Sequence, residues 1–209
     1  MNKPGFFALH RLLSPCLAVL CLLLAPAAAN ATPYVVKMVQ QGNDVVATGS
    51  GEFDLTGLVR LGASSSFGGF VSPKFGSSSV GQAAPIDVYS YGAFTGPTAY
   101  GPGNITLATS SSGDPVFIAP LGGFGIPSPF LIVPRGYVSF TGLLGDATWS
   151  NATFASLGVT PGTYVWTWGS GAGQSYTLDI VVPEPAALGM FGLGVLLIGA
   201  FVGLRRRVA

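Results

Sequence analysis

The sequence predicts an all-β protein: an antiparallel β-sandwich, jelly-roll-like or Ig-like, preceded by a cleavable signal peptide and followed by a transmembrane helix. Three observations carry that expectation. Short runs of β-branched and aromatic residues recur through 32–182, each closed by glycine, proline or serine. No continuous helical period crosses this region, and the chain's 31 glycines and 16 prolines would interrupt one. Apolar segments flanked by basic residues mark the two ends. Together they divide the 209 residues into 1–31, 32–182 and 183–209.

The first segment opens with Lys3, His10 and Arg11, followed by a mostly apolar run over 12–24 that Ser14 and Pro15 interrupt. Small residues follow, from Ala25 to Ala31. This order of basic, apolar and small regions is that of a secretory signal peptide. Cleavage after Ala31 or after Ala29 fits the small-residue rule, and Ala31 is favoured. An uncleaved anchor is the competing reading, but the apolar core is short for a bilayer span. Lipidation is not expected, because Leu20 precedes Cys21 and Pro15 precedes Cys16.

Cysteine and histidine usage limits the chemistry of what remains. Cys16, Cys21 and the only histidine, His10, all lie in the first segment. A mature chain without them has no disulfide, no Cys/His metal site and no nucleophile paired with a histidine base. No catalytic residue, metal or cofactor is expected. The chain's formal net charge is +1, but four cations and seven anions in 32–182 leave that region at −3. Nothing there resembles a basic nucleic-acid footprint.

The 151 residues of the middle segment suffice for one domain with its own core. Strands are expected over 34–40, 44–55, 86–91, 105–109, 116–119, 130–133, 163–168 and 175–182, with Gly42-Asn43 as a hairpin turn. The Gly- and Ser-rich stretches 63–69 and 76–81 read as long loops. A two-sheet sandwich is the leading architecture and an open barrel the second. Tyr164, Trp166 and Trp168 alternate along one strand and share a face. With Trp149 and Tyr176 they would form either a platform for sugar rings or part of the core, and core packing is the favoured reading.

Two carboxylates, Glu52 and Asp54, stand two apart on a predicted strand. A solvated strand face explains them better than glycoside hydrolysis, which needs a defined separation across a cleft. Ser112 and Asp114 lack the spaced acidic series of a calcium loop. The sequons at Asn104-Ile105-Thr106 and Asn151-Ala152-Thr153 are short matches that carry little weight by themselves.

After Val182 comes Pro183-Glu184-Pro185, where the prolines hold Glu184 in an extended, accessible peptide. Residues 186–204 are 19 positions without charge, roughly 28 Å as a helix and enough to span a bilayer. Arg205, Arg206 and Arg207 then place that end in the cytoplasm and the β domain outside. The signal peptide predicts the same topology independently. On chemistry alone a permanent anchor, with the prolines marking a strand-to-helix transition, fits as well as a processing signal. Gly199 and Gly203 make a weak G-x-x-x-G helix-pairing pattern.

The succession of Pro183-Glu184-Pro185, apolar helix and Arg205-Arg206-Arg207 resembles the PEP-CTERM sorting domain of Gram-negative bacteria. The resemblance implies recognition by exosortase, a membrane cysteine transpeptidase-like enzyme, and cleavage near the motif. The middle segment is also similar to proteins that carry this tail, through Val45-Val46-Ala47-Thr48-Gly49-Ser50-Gly51, Asp54-Leu55-Thr56-Gly57-Leu58, Ser112-Gly113-Asp114 and Pro161-Gly162-Thr163-Tyr164-Val165-Trp166-Thr167-Trp168-Gly169. That likeness brings no catalytic residues. It implies an exported precursor tethered to the inner membrane, then processed and placed on the cell surface or in the extracellular matrix. The implied setting is a biofilm rich in exopolysaccharide. The partners expected are the export machinery, exosortase, the membrane and exopolysaccharide, with no nucleic acid. The function expected is a non-enzymatic surface or matrix protein; the alternatives are a carbohydrate-binding module and, third, a carboxylate-only glycosidase.

Overall fold

Residues 32–90, 95–122, 125 and 129–182 are described by a computed structural model. The expected signal segment with Ala29 and Ala31 lies outside them, as do Pro183, Glu184, Pro185, the apolar stretch 186–204 and Arg205 to Arg207. Among the described residues no helix is long and apolar enough to cross a membrane.

Alternation builds the first hairpin. In β1 (Tyr34–Gln41) the residues Tyr34, Val36 and Met38 are buried; in β2 (Asp44–Gly51) Val45, Ala47 and Gly49 are buried. Gln41 pairs with Asp44, so Gly42-Asn43 is a two-residue turn, and Gly42 supplies the required positive φ of 61°. Around this hairpin forms a six-stranded sheet in the order β12 (Gly162–Thr167), β13 (Ser175–Val181), β1, β2, β11 (Leu143–Trp149), β8 (Ser110–Gly113).

A seven-stranded sheet runs in the order β3 (Val59–Ser65), β6 (Pro85–Ser90), β10 (Phe130–Pro134), β9 (Val116–Ala119), β5 (Ser77–Val80), β4 (Phe70–Ser72), β7 (Thr106–Leu107). One core cluster joins the sheets. It takes Tyr34, Val36, Ala47, Trp166 and Leu178 from the first, and Val71, Val80, Ile118, Leu131 and Val133 from the second. The two sheets therefore pack face to face in a sandwich-like, all-β fold.

Several expectations need correction. The sandwich is not wholly antiparallel: β1 and β13 pair in parallel, with Tyr34 opposite Tyr176. A parallel pair needs a long connection, and here almost the whole domain separates the two strands. Thirteen strands among the described residues exceed the roughly seven to nine of an Ig domain and about eight of a jelly roll. The stretches 63–69 and 76–81 are not long loops, because β3 ends within the first and β5 lies within the second. Their serines pair by backbone hydrogen bonds, which hydropathy does not register. β2 ends at Gly51, earlier than expected, and β11 was missed because Gly145 and Ala147 fill its inward positions. A one-turn helix, α1 (Phe154–Leu157), is set by a capping box between Thr153 and Ser156.

The corner between the sheets demands a glycine. Gly81 has φ 86°, donates its N–H to Asp146 O at 3.1 Å, and would press any Cβ against the Asp114 carbonyl.

Candidate functional site

The predicted aromatic strand face exists, and it points inward. Trp166 is 0% exposed and sits edge-on to Tyr176 at 5.7 Å between ring centroids. Its Nε1 donates to Pro97 O at 2.7 Å. Trp168 is 8% exposed, packs 5.6 Å from Phe53, and donates to Asp54 O at 2.9 Å. Trp149 is buried and donates to Thr106 O at 3.1 Å. Tyr164 is half-buried against Tyr100, with its hydroxyl donating to Thr160 O at 3.0 Å. A stacking platform needs an open ring face, and the faces of Trp166 and Trp168 are taken up by the core. The indoles instead each donate to one main-chain carbonyl, Trp166 and Trp168 to connecting segments and Trp149 to strand β7 of the other sheet.

Tyr176 and Tyr100 carry the polar atoms of this core. The Tyr176 hydroxyl lies 2.8 Å from Ser78 Oγ, and the Tyr100 hydroxyl donates to Ser77 O at 2.6 Å while accepting from Ser72 N. The Tyr34 hydroxyl is buried with no partner among the described residues. Burial pushes all three phenols above the usual tyrosine range, while the Ser78 bond pulls Tyr176 the other way.

The carboxylates do not converge on a cleft. Glu52 accepts from Thr32 N at 3.1 Å. Asp54 accepts from Thr56 N at 2.9 Å through one oxygen and from Gln174 Nε2 at 3.1 Å through the other. Both positions stabilise backbone and loop geometry, and the buried Phe53 stands between them. Asp114 accepts from Leu144 N at 2.9 Å, whereas Ser112 donates to Asp146 at 2.5 Å. Among the described residues no group of three or more His, Cys, Asp or Glu side chains could hold a metal.

The concave feature lies elsewhere, on the outer face of the seven-stranded sheet. β9 and β10 are apolar at every core position, with Phe117, Ala119, Phe130 and Ile132 facing away from the main core. Phe70 from β4 and Ile86 and Val88 from β6 join them. The rings of Phe70, Phe117 and Phe130 meet edge-on at 4.8 and 5.2 Å. β3 and the turn after it supply a further side of a cavity of about 380 Å³, including Leu61, Gly62 and Phe67. The unbroken apolar runs Val116-Phe117-Ile118-Ala119 and Phe130-Leu131-Ile132-Val133 were the sequence signal, since a strand buried on both faces loses its alternation.

An ion pair sits on the other side of β6. Arg60 Nη2 lies 2.6 Å from Asp87 Oδ1, and Asp87 Oδ2 accepts from Gly136 N at 3.0 Å. The Arg60 hydrogen bond, followed by that from Gly136, holds the Asp87 carboxyl below the usual range.

Comparison with known proteins places one segment. Residues 181–207 match the family described as the PEP-CTERM protein-sorting motif, a span that includes Pro183, Glu184, Pro185 and Arg205 to Arg207. No curated protein and no solved structure is significantly similar to the chain.

Proposed function

Starting from a PEP-CTERM domain-containing protein, exported and targeted to exosortase, we propose that this chain is a non-enzymatic component of the cell surface or extracellular matrix. The observation that carries the proposal is the order of the tail: Pro183-Glu184-Pro185, then 19 uncharged residues, then Arg205-Arg206-Arg207. The precursor is held in the inner membrane by residues 186–204 with its arginines in the cytoplasm. Exosortase cuts near the motif, and the β domain passes to the surface or matrix.

Two features support a structural role. The region 32–182 contains neither histidine nor cysteine. Its best carboxylate candidates, Glu52 and Asp54, accept bonds from the chain's own backbone amides and from Gln174. Exopolysaccharide remains the proposed environment, met by the domain's surface and not by Trp166 and Trp168.

Mass spectrometry of the mature C-terminus, in the producing strain and in one lacking exosortase, tests the reading. A C-terminus at or near Pro183 to Pro185 in the first strain only is expected. An intact Arg205-Arg206-Arg207 end in the producing strain overturns it.

A further inference from the structure

The outer-face cavity belongs to none of the features that explain sorting, and the geometry points to a binding site for a neutral, apolar small molecule. Its volume of about 380 Å³ falls inside the range of roughly 300–1,000 Å³ typical of small-molecule sites. Phe70, Phe117, Phe130, Ile86, Val88 and Ile132 form one apolar cluster along it. The rim is apolar as well: Leu61 is 48% exposed and Phe67 68%. Covering such a surface with an apolar ligand removes it from water at about 25 cal/mol per Å².

Charge decides the ligand class. Among the described residues, none that lines the cavity is ionisable. Arg60 is engaged by Asp87, whose neighbours in β6, Ile86 and Val88, point to the opposite face. The Arg135 guanidinium donates to Ser64 O at 3.4 Å. A carboxylate or phosphate headgroup entering the cavity would lose hydration and meet no charged side chain among the described lining residues.

Of the four described serines that line the cavity, Ser79 and Ser66 already have hydrogen-bond partners. Ser79 donates to Gly68 O at 2.9 Å, and Ser66 donates to Gln82 O while accepting from Ala84 N. A sugar, with hydroxyls all round, would leave most of its own hydrogen bonds unmade. The ligand is therefore an uncharged hydrocarbon-like molecule, such as a fatty alcohol or an uncharged acyl chain.

Gly62 provides a way to close the site. It pairs with Val88, so the two share a sheet face, the one that carries the apolar cluster. A Cβ built on Gly62 meets nothing within 4 Å. Gly62→Trp therefore projects into the cavity, and Ser64→Phe, opposite Ile86, does so from the next position on that face.

The experiment uses the exported protein as recovered from the cell and a photoactivatable diazirine analogue of decanol, with adducts mapped by mass spectrometry. Saturable labelling of peptides containing Phe70, Phe117 or Phe130 is expected, competed by decanol and not by decanoate or glucose. Labelling falls about tenfold, equivalent to ~1.4 kcal/mol of affinity, in Gly62→Trp, and is unchanged in Val165→Trp on the other sheet. Circular dichroism checks that each variant is folded, and Ser64→Phe replaces Gly62→Trp if the latter is not. Labels spread without preference for the cavity, labelling that survives in a folded blocking variant, or decanoate competing as well as decanol would each overturn the assignment. So would a dimer whose cross-links map to Leu61 and Phe67, since a second copy would then cover this face.

Discussion

The Tyr176 hydroxyl and Ser78 Oγ meet at 2.8 Å across the interface between the two sheets, both side chains being buried. This bond ties β13 to β5 over 98 residues of sequence. Tyr176→Phe leaves the Ser78 hydroxyl buried and unpaired, at a cost of about 1–3 kcal/mol. Adding Ser78→Ala to Tyr176→Phe removes the orphan, so the double variant should lose less than the sum of the two single changes. Urea unfolding, read as a change of midpoint at constant slope, measures all three. Strict additivity would show that the contact contributes nothing.

Tryptophan substitution now tests packing and not sugar binding. Trp166→Ala deletes a fully buried ring and the bond to Pro97 O, and should cost about 3–5 kcal/mol. Denaturant unfolding is the measurement, and a loss below about 1 kcal/mol would contradict the burial. Any effect of this variant on glycan binding has to be compared at matched folded fraction.

High pH probes the buried phenols. Tyr34, Tyr100 and Tyr176 have folded-state pKa values above their unfolded value of about 10. Their contribution to stability is therefore complete below about pH 10 and is lost as the pH rises beyond it. Tyrosinate absorbance should rise in two stages, first from accessible tyrosines and then cooperatively with unfolding as followed by tryptophan fluorescence. One smooth titration of all seven tyrosines near pH 10 would refute this.

Low pH probes the pair on β3 and β6. The Asp87 carboxyl is held below its unfolded value of about 3.9, first by Arg60 and then by Gly136 N. Its stabilisation is present above about pH 4 and is lost as the pH falls through the folded-state value. Asp87→Asn should lower stability at neutral pH and flatten the curve between about pH 4 and pH 2 relative to the unmodified chain. Identical acid profiles would remove the pair from the account. Half of the Arg60 side chain is exposed, so the effect is modest and weakens with salt.

Legibility tracked the range of the interactions concerned. The hairpin at Gly42-Asn43 and the inward alternation of Tyr34, Val36 and Met38 were readable because a turn and a period of two are local properties. The strands β3 and β5 were not, since Ser64, Ser65 and Ser77 to Ser79 belong to sheets only through partners far along the chain. The shared face of Tyr164 and Trp166 was readable, but whether it met water depended on segments such as Pro97 and Tyr100 folding over it.

By itself the sequence determined the address of this protein and its β character. A sorting peptide is recognised in linear order, so Pro183-Glu184-Pro185, the apolar stretch and the arginines carry their meaning without a fold. It also removed histidine and cysteine chemistry from residues 32–182. Tertiary structure decided which surfaces remain. It set Tyr34 of the first strand beside Tyr176 of the last in parallel, took the tryptophans into the core, and brought β3, β4, β6, β9 and β10 together around one apolar cavity. The physical reason is that burial and concavity arise from contacts between residues distant in the chain, which no local pattern of side chains specifies.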